Sequence, residues 1–176
     1  MTDTQYAAIA AQYEDESSAE TDFDQLVDHL GDSSHKHEFF DAALIRRATD
    51  GKLTVVKRAQ SDAHRGTRRG LKIGIATGIA AALFPAVALG AAVAVAGGSG
   101  AGLGAIAGHI SRKSPSKDLE AIGETLSAGS AGIVLVVEPE DADEVESSLE
   151  HASQLTRREL AVDRDKLEQE EEGAYE

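Results

Sequence analysis

The sequence predicts an α+β fold: a ferredoxin-like βαββαβ sheet with an inserted glycine-zipper helical hairpin and an extra C-terminal helix. Two observations lead to this fold class. Apolar runs of strand length and runs with helical periodicity follow one another in the order strand, helix, strand, strand, helix, strand. Between the third strand and the second helix, residues 73–108 form a run of 36 residues without a charged side chain. The length of 176 residues suits one domain with such an insert.

The domain begins with a predicted strand and a predicted helix. Residues 6–13 are an apolar run bounded by acidic residues, which predicts a buried strand. Ser17 and Glu20 match a capping box, and Gly31 marks the end of the helix that follows. The apolar face of this helix carries Phe23, Leu26, Val27 and Leu30 at helical spacing.

A β-hairpin is predicted next. Residues 39–47 and 53–58 are strand-like, and they flank the dipeptide Asp50-Gly51. Because Asp-Gly favours tight turns with positive φ, the two segments are expected to pair as antiparallel strands.

The part of the domain after the insert predicts a helix, a buried strand and a last helix. Pro115 lies near the start of the first of these helices, whose apolar face carries Leu119, Ile122 and Leu126. The unbroken apolar run 132–137 predicts a central strand that pairs with strands formed before the insert. A capping box at Asp141 opens the last helix, which is expected to continue toward Leu167. The predicted boundaries are 1–62 and 114–168 for the two halves of the domain, 63–113 for the insert and 169–176 for a disordered acidic tail.

The insert has glycine at every fourth position in two runs. Residues four apart share one helix face, so each run predicts a helix with a groove into which another backbone packs closely. A straight helix of 36 residues would be about 54 Å long, far beyond a hydrocarbon core of about 30 Å. A hairpin folded near Pro85 or near residues 97–100 is therefore expected, and the sheet domain is expected to fold without it. The predicted helix-packing residues are Gly66, Gly70, Gly74, Gly78, Gly100, Gly104 and Gly108.

Basic residues border the charge-free run on both sides. Under the positive-inside bias both flanks lie in the cytoplasm, which predicts a membrane-associated hairpin with both termini cytoplasmic. The same side chains either contact anionic lipid headgroups or only fix the topology. These residues are Arg65, Arg68, Arg69, Lys72, Arg112 and Lys113.

Little in the sequence indicates chemistry. The absence of cysteine excludes a disulfide framework, and the net charge of −14 argues against nucleic acid as a partner. Residues 35–38 place two imidazoles and a carboxylate close together. Because the two histidines lack a supporting third ligand spaced elsewhere in the chain, a solvated loop is expected instead of a metal site. The acidic pair Asp22 and Asp24 is interpreted as surface carboxylates. His109 beside Arg112 is interpreted as an interfacial anchor, and a sensor of pH or lipid headgroups is the alternative. No catalytic residue, cofactor or metal site is predicted.

Several features together resemble a known family. They are the Phe-Asp-Ala-Ala strand at residues 40–43 with its Asp-Gly hairpin, the Gly-x-x-x-Gly insert, and Asp118-Leu119 leading through Leu126 to the turn at 129–131. The chain thereby resembles the bacterial family called domain of unknown function 1269, whose members are often labelled as membrane proteins. The resemblance implies a membrane-associated protein without an assigned activity, and it carries over no catalytic residue.

Two functional hypotheses follow. The first is a membrane-associated structural or interaction protein that self-assembles through the hairpin and a cytoplasmic ferredoxin-like domain, with the lipid bilayer and further copies of itself as partners. The second is a soluble oligomeric ligand-sensing or binding module whose glycine-rich hairpin is buried between subunits. An enzyme is not predicted, because no convergent polar constellation can be named. The sequence identifies no other protein partner.

Overall fold

The computed structural model describes residues 4–31, 40–47, 53–60, 76, 78–80, 88–89, 108–112, 116–127, 130–162 and 169. Its strands are β1 (Thr4–Tyr13), β2 (Phe40–Arg47), β3 (Leu53–Gln60), β4 (Ala88–Leu89), β5 (Ala131–Val137) and β6 (Gln154–Val162). Its helices are α1 (Glu16–Gly31), α2 (Ser116–Ser127) and α3 (Ala142–Ser148), with a 3-10 turn at Pro139–Asp141 before α3. Residues 78–80 and 108–112 are also helical.

The strands form one sheet in the order β4-β3-β2-β5-β1-β6. Neighbouring strands are antiparallel except for β3 and β4, which are parallel over two residue pairs. β5 lies between β1 and β2, so the strand that follows the insert pairs on both sides with strands that precede it. The α+β class and the predicted pairing of residues 132–137 are confirmed.

Helices cover both faces of this sheet. On the α1 face, which α1 and α3 cover, the core includes Phe23, Leu26 and Val145. On the α2 face, Ile122 and Leu126 of α2 pack against the sheet. Successive side chains of a strand point to opposite faces, so β5 is buried along its whole length between the two cores. The predicted apolar faces of α1 and α2 are therefore confirmed.

The helix starts differ from the predicted capping boxes. Asp15, not Ser17, caps α1: its Oδ1 accepts a hydrogen bond of 2.7 Å from the backbone N–H of Ser18. This bond lowers the pKa of the Asp15 carboxyl. Asp141 precedes α3 but makes no side-chain capping bond, so the second predicted capping box is wrong.

The last helix is much shorter than predicted. α3 ends at Ser148, and Gln154–Val162 forms β6 instead of a helix that continues toward Leu167. β6 pairs with β1 from Gln12↔Gln154 to Thr4↔Val162. The sequence interpretation treated residues 132–137 as the last strand of the sheet, whereas β6 adds a further strand beside β1.

Parts of the glycine-rich insert lie in the core of the domain. Ala76, Ile79, Ala80 and Ile110 are each 0 % exposed and belong to the apolar cluster on the α2 face. The expectation of an insert separate from the sheet domain is wrong for these residues. The hairpin turn near residue 85 or residues 97–100 lies outside the described residues. Among the helices that are described, none has the length and apolar character that a membrane crossing requires.

Candidate functional site

The junction between the insert and the sheet is the first candidate site. Asp41 of β2 is 2 % exposed, and its Oδ1 accepts a hydrogen bond of 3.3 Å from the backbone N–H of Ala76. A buried carboxylate is costly unless hydrogen bonds satisfy it, so this bond fixes where the insert enters the core. Ile110 returns to the same cluster from the other end of the insert. Both ends of the insert are therefore held on the α2 face.

Two of the predicted helix-packing glycines are described. Gly78 is buried within the domain, and Gly108 is half-buried in the helical residues 108–112. A Cβ atom at Gly108 would lie 3.1 Å from Nη1 of Arg112, so this glycine accommodates a side chain of its own helix. Gly66, Gly70, Gly74, Gly100 and Gly104 lie outside the described residues.

The predicted basic flank is described at one position. Arg112 is exposed, as a residue that contacts solvent or a headgroup must be. Arg65, Arg68, Arg69, Lys72 and Lys113 lie outside the described residues. His109 is 1 % exposed, so its interpretation as an interfacial anchor is wrong. The neighbouring Ile110 belongs to the apolar cluster on the α2 face.

A buried carboxylate on the α1 face joins three elements. Asp22 of α1 is 0 % exposed, which contradicts its interpretation as a surface residue. Its Oδ2 accepts hydrogen bonds of 2.9 Å from the Tyr13 hydroxyl and from the backbone N–H of His151. Its Oδ1 lies 2.6 Å from Nδ1 of His151. We name Tyr13, Asp22 and His151 the Asp22 cluster.

The Asp22 cluster defines the state of its imidazole. Carboxylate oxygens accept hydrogen bonds, so Nδ1 of His151 donates to Asp22, while the His151 side chain as a whole is half-exposed. The hydrogen bond to Asp22 and the charge of Asp22 raise the pKa of the His151 imidazole. Burial, followed by the hydrogen bond to Asp22, raises the pKa of the Tyr13 hydroxyl. The cluster thus holds a protonatable side chain in one orientation at the connection between α3 and β6.

A second histidine pair ties α3 to α1. Nε2 of His29 lies 2.7 Å from Oε1 of Glu144, and both side chains are partly exposed. Arg157 of β6 holds α3 from the other side, with Nη1 2.7 Å from Oδ1 of Asp143. Solvent screens such exposed pairs, so the buried Asp22 cluster is the main polar attachment in this layer.

A groove of about 510 Å³ lies between α1 and β3 on the α1 face. Phe23, Val27 and Val56 line its apolar part. Val56 is the extra residue of a β-bulge in β3, and bulges commonly re-aim neighbouring side chains. Nζ of Lys57 lies 3.2 Å from Oδ1 of Asp24, so an ion pair joins the strand side of the groove to the helix side. The volume is that of a small-molecule site.

Sequence reasoning missed the Asp22 cluster, although one signal was available. Asp22 stands on the helix face of Ala19 and Leu26, three residues after the first and four before the second, so burial was predictable from its position. His151 carries no such signal, because it follows α3 and meets Asp22 only across 129 residues of sequence. No group of metal-binding side chains occurs among the described residues, and residues 35–38 lie outside them.

Comparison with known proteins identifies one family. Residues 68–171 match the family described as "Protein of unknown function (DUF1269)". The match begins inside the insert and extends through α2, β5, α3 and β6. No curated protein and no solved structure matches the chain.

Proposed function

We propose that the chain, which belongs to the DUF1269 family of proteins of unknown function, is a self-assembling interaction module whose glycine-rich insert packs against a second copy. The observation that carries this proposal is the burial of Ala76, Ile79, Ala80 and Ile110 in the sheet domain. It places these four residues of the insert in the core of the sheet domain. The proposal assigns no catalytic role to any residue.

The length of the remaining insert favours this module over a membrane-spanning hairpin. Both ends of the insert are held on one sheet face, and Ala88–Leu89 pairs with β3. Residues 90–107 then leave 18 residues without a charge. Two arms made from them would each be about 13 Å long, whereas each crossing needs about 20 residues and 30 Å. A packing role for the glycines in this segment is the better supported reading.

The test of self-assembly uses the full-length chain without detergent. Gly78 is buried in the domain, so its replacement would confound folding with association. The variant Gly100→Leu with Gly104→Leu fills the proposed groove, and Ala101→Leu with Ala105→Leu places the same leucine side chains one position away. We expect multi-angle light scattering to give a lower mass for the glycine variant and the wild-type mass for the control. A monomeric wild-type chain, or a glycine variant with unchanged mass, would refute this role.

Peripheral membrane association is a second candidate. It is supported by the charge-free run 73–108 and by the exposed Arg112 at its border. In this case the domain and both termini lie on the cytoplasmic side, and residues 90–107 enter one leaflet. Alkaline carbonate washing of membranes is expected to release the protein. Retention after the wash would favour a spanning hairpin.

The finer fold description is also a proposal. We infer that β2, β5, β1 and β6 with α1 and α3 form a ferredoxin-like core. It is supported by two crossovers, β1-α1-β2 and β5-α3-β6, each of which joins parallel strands that have one other strand between them. Interstrand NMR contacts between β1 and both β5 and β6 are the test. Their absence would remove the ferredoxin-like assignment.

A further inference from the structure

β6 is the outermost strand on its side of the sheet. Its inner edge pairs with β1 over nine residue pairs, and no strand among the described residues pairs with its outer edge. The outer edge of a strand presents backbone N–H and C=O groups that can pair with another chain. The edge of Gln154–Val162 therefore offers a surface for β-strand pairing.

The side chains of this edge favour a partner. Leu155 is 38 % exposed and is the only exposed large apolar residue among those described. On the same sheet face lie Arg157 and Glu159, which are both exposed. Arg157 bonds Asp143 of α3, whereas the carboxylate of Glu159 makes no hydrogen bond or ion pair with another described residue. A cation and an available carboxylate thus stand two residues apart on one side of the strand.

We propose that β6 pairs with β6 of a second copy, antiparallel about a two-fold axis at Arg158, so that one sheet continues through both chains. The inference rests on the proposed self-assembly and gives it a surface distinct from the glycine-rich insert. In this register Arg157 of each copy lies opposite the partner's Glu159, so the dimer contains two such pairs. Leu155 lies opposite the partner's Ala161. Opposite charges directly across antiparallel strands are favourable, and Leu155 becomes covered.

Neighbouring registers lack this complementarity. An axis at Arg157 would place Glu159 opposite Leu155, and an axis at Glu159 would place Arg158 opposite Leu160. Each arrangement sets a charge against an apolar side chain without an ionic partner. A shift by one residue would turn side chains to the wrong face. The charge pattern of the strand therefore selects the axis at Arg158.

Arg158 makes the pairing weak and reversible. Its Nη1 donates a hydrogen bond of 2.8 Å to the backbone oxygen of Arg157, and its Nε lies 3.5 Å from Oδ1 of Asp118. In the proposed dimer two Arg158 side chains face each other. Asp118 of each copy offsets this repulsion, because it already pairs with its own Arg158. Removal of Arg158 is therefore expected to strengthen the pairing.

Site-specific disulfide formation tests the register, since the chain contains no cysteine. Directly opposite residues in antiparallel strands have Cα atoms about 4.5–5.5 Å apart, which suits a disulfide. Mild oxidation of full-length Arg158→Cys is expected to give a covalent dimer on a non-reducing gel. Leu155→Cys is the exposed control, because its symmetry mate would lie about 20 Å away. Equal cross-linking of both variants would overturn the proposed register.

A charge reversal then tests the recognition. In the Arg158→Cys background, Glu159→Arg should slow cross-linking at least about fivefold, and adding Arg157→Glu should restore it. An unchanged rate in the Glu159→Arg variant would overturn the role of the charge pairs. Cross-linking should persist when Gly100→Leu and Gly104→Leu are added, since the two surfaces are distinct. A loss of cross-linking only when Gly100→Leu and Gly104→Leu are present would mean that association through the insert brings the β6 edges together. This result would overturn an independent β6 interface and support association through the insert.

Discussion

Replacing Asp22 with alanine is expected to destabilise the domain because it leaves a buried hydroxyl without its acceptor. Tyr13 and Asp22 are both 0 % exposed, and their hydrogen bond is 2.9 Å long. A buried polar group that loses its partner costs about 1–3 kcal/mol, whereas Tyr13→Phe, which removes the donor itself, costs about 0.5–1.5 kcal/mol. The variant with both substitutions has no stranded hydroxyl. It should therefore be more stable than the sum of the single effects predicts, by about 1–3 kcal/mol.

The measurement is a double-mutant cycle by urea unfolding, followed by circular dichroism because the tyrosine content changes. Asp28→Ala is the matched control, since Asp28 is an exposed carboxylate on the same helix. Its unfolding free energy should stay within about 0.5 kcal/mol of wild type. Additivity of the Tyr13 and Asp22 substitutions within about 0.5 kcal/mol would refute the argument, because the hydroxyl would then have found another acceptor.

Three further expectations follow from the described contacts. The hydrogen bond to Asp22 raises the pKa of the His151 imidazole in the folded protein. Protonated His151 therefore stabilises the fold fully below the ordinary imidazole pKa of 6.5, and this stabilisation is lost as the pH rises through the higher folded pKa. The melting temperature of the wild type should fall across that pH range, and that of the His151→Asn variant should fall less. The same dependence of melting temperature on pH in both proteins would exclude this linkage. Ile79→Ala should lower the unfolding free energy by about 2–5 kcal/mol, because Ile79 is 0 % exposed, and an unchanged value by urea unfolding would remove the insert from the core. Gly132→Ala places a Cβ atom 2.7 Å from Cδ2 of Leu126, so calorimetry should show a loss of about 1–3 kcal/mol unless α2 moves without cost.

Elements with a strong local pattern were predictable. α1 ends at Gly31 as its glycine signal indicates, and the apolar run of β5 is buried on both faces. β6 was not predictable in the same way. Its sequence alternates poorly, with Arg157, Arg158 and Glu159 in succession, and such residues also favour helices. Pairing with β1 supplies the backbone hydrogen bonds that make it a strand.

The candidate sites show the same division. The border position of Arg112 could be read directly from the charge pattern, and its side chain is exposed. The Asp22 cluster depends on a contact between α1 and the connection after α3, which no local spacing encodes. The burial of His109 likewise follows from no local spacing.

The sequence by itself determined the α+β class, the charge-free insert with its glycine spacing, and the resemblance to the family that the profile match confirms. Only the tertiary structure decided that β5 enters between β1 and β2, that Ile79 and Ile110 complete the core on the α2 face, and that Asp22 meets His151. The physical reason is that local periodicity reports which side of an element is apolar. It does not report which distant segment covers that side, because burial and strand pairing are set by contacts between residues far apart in the chain.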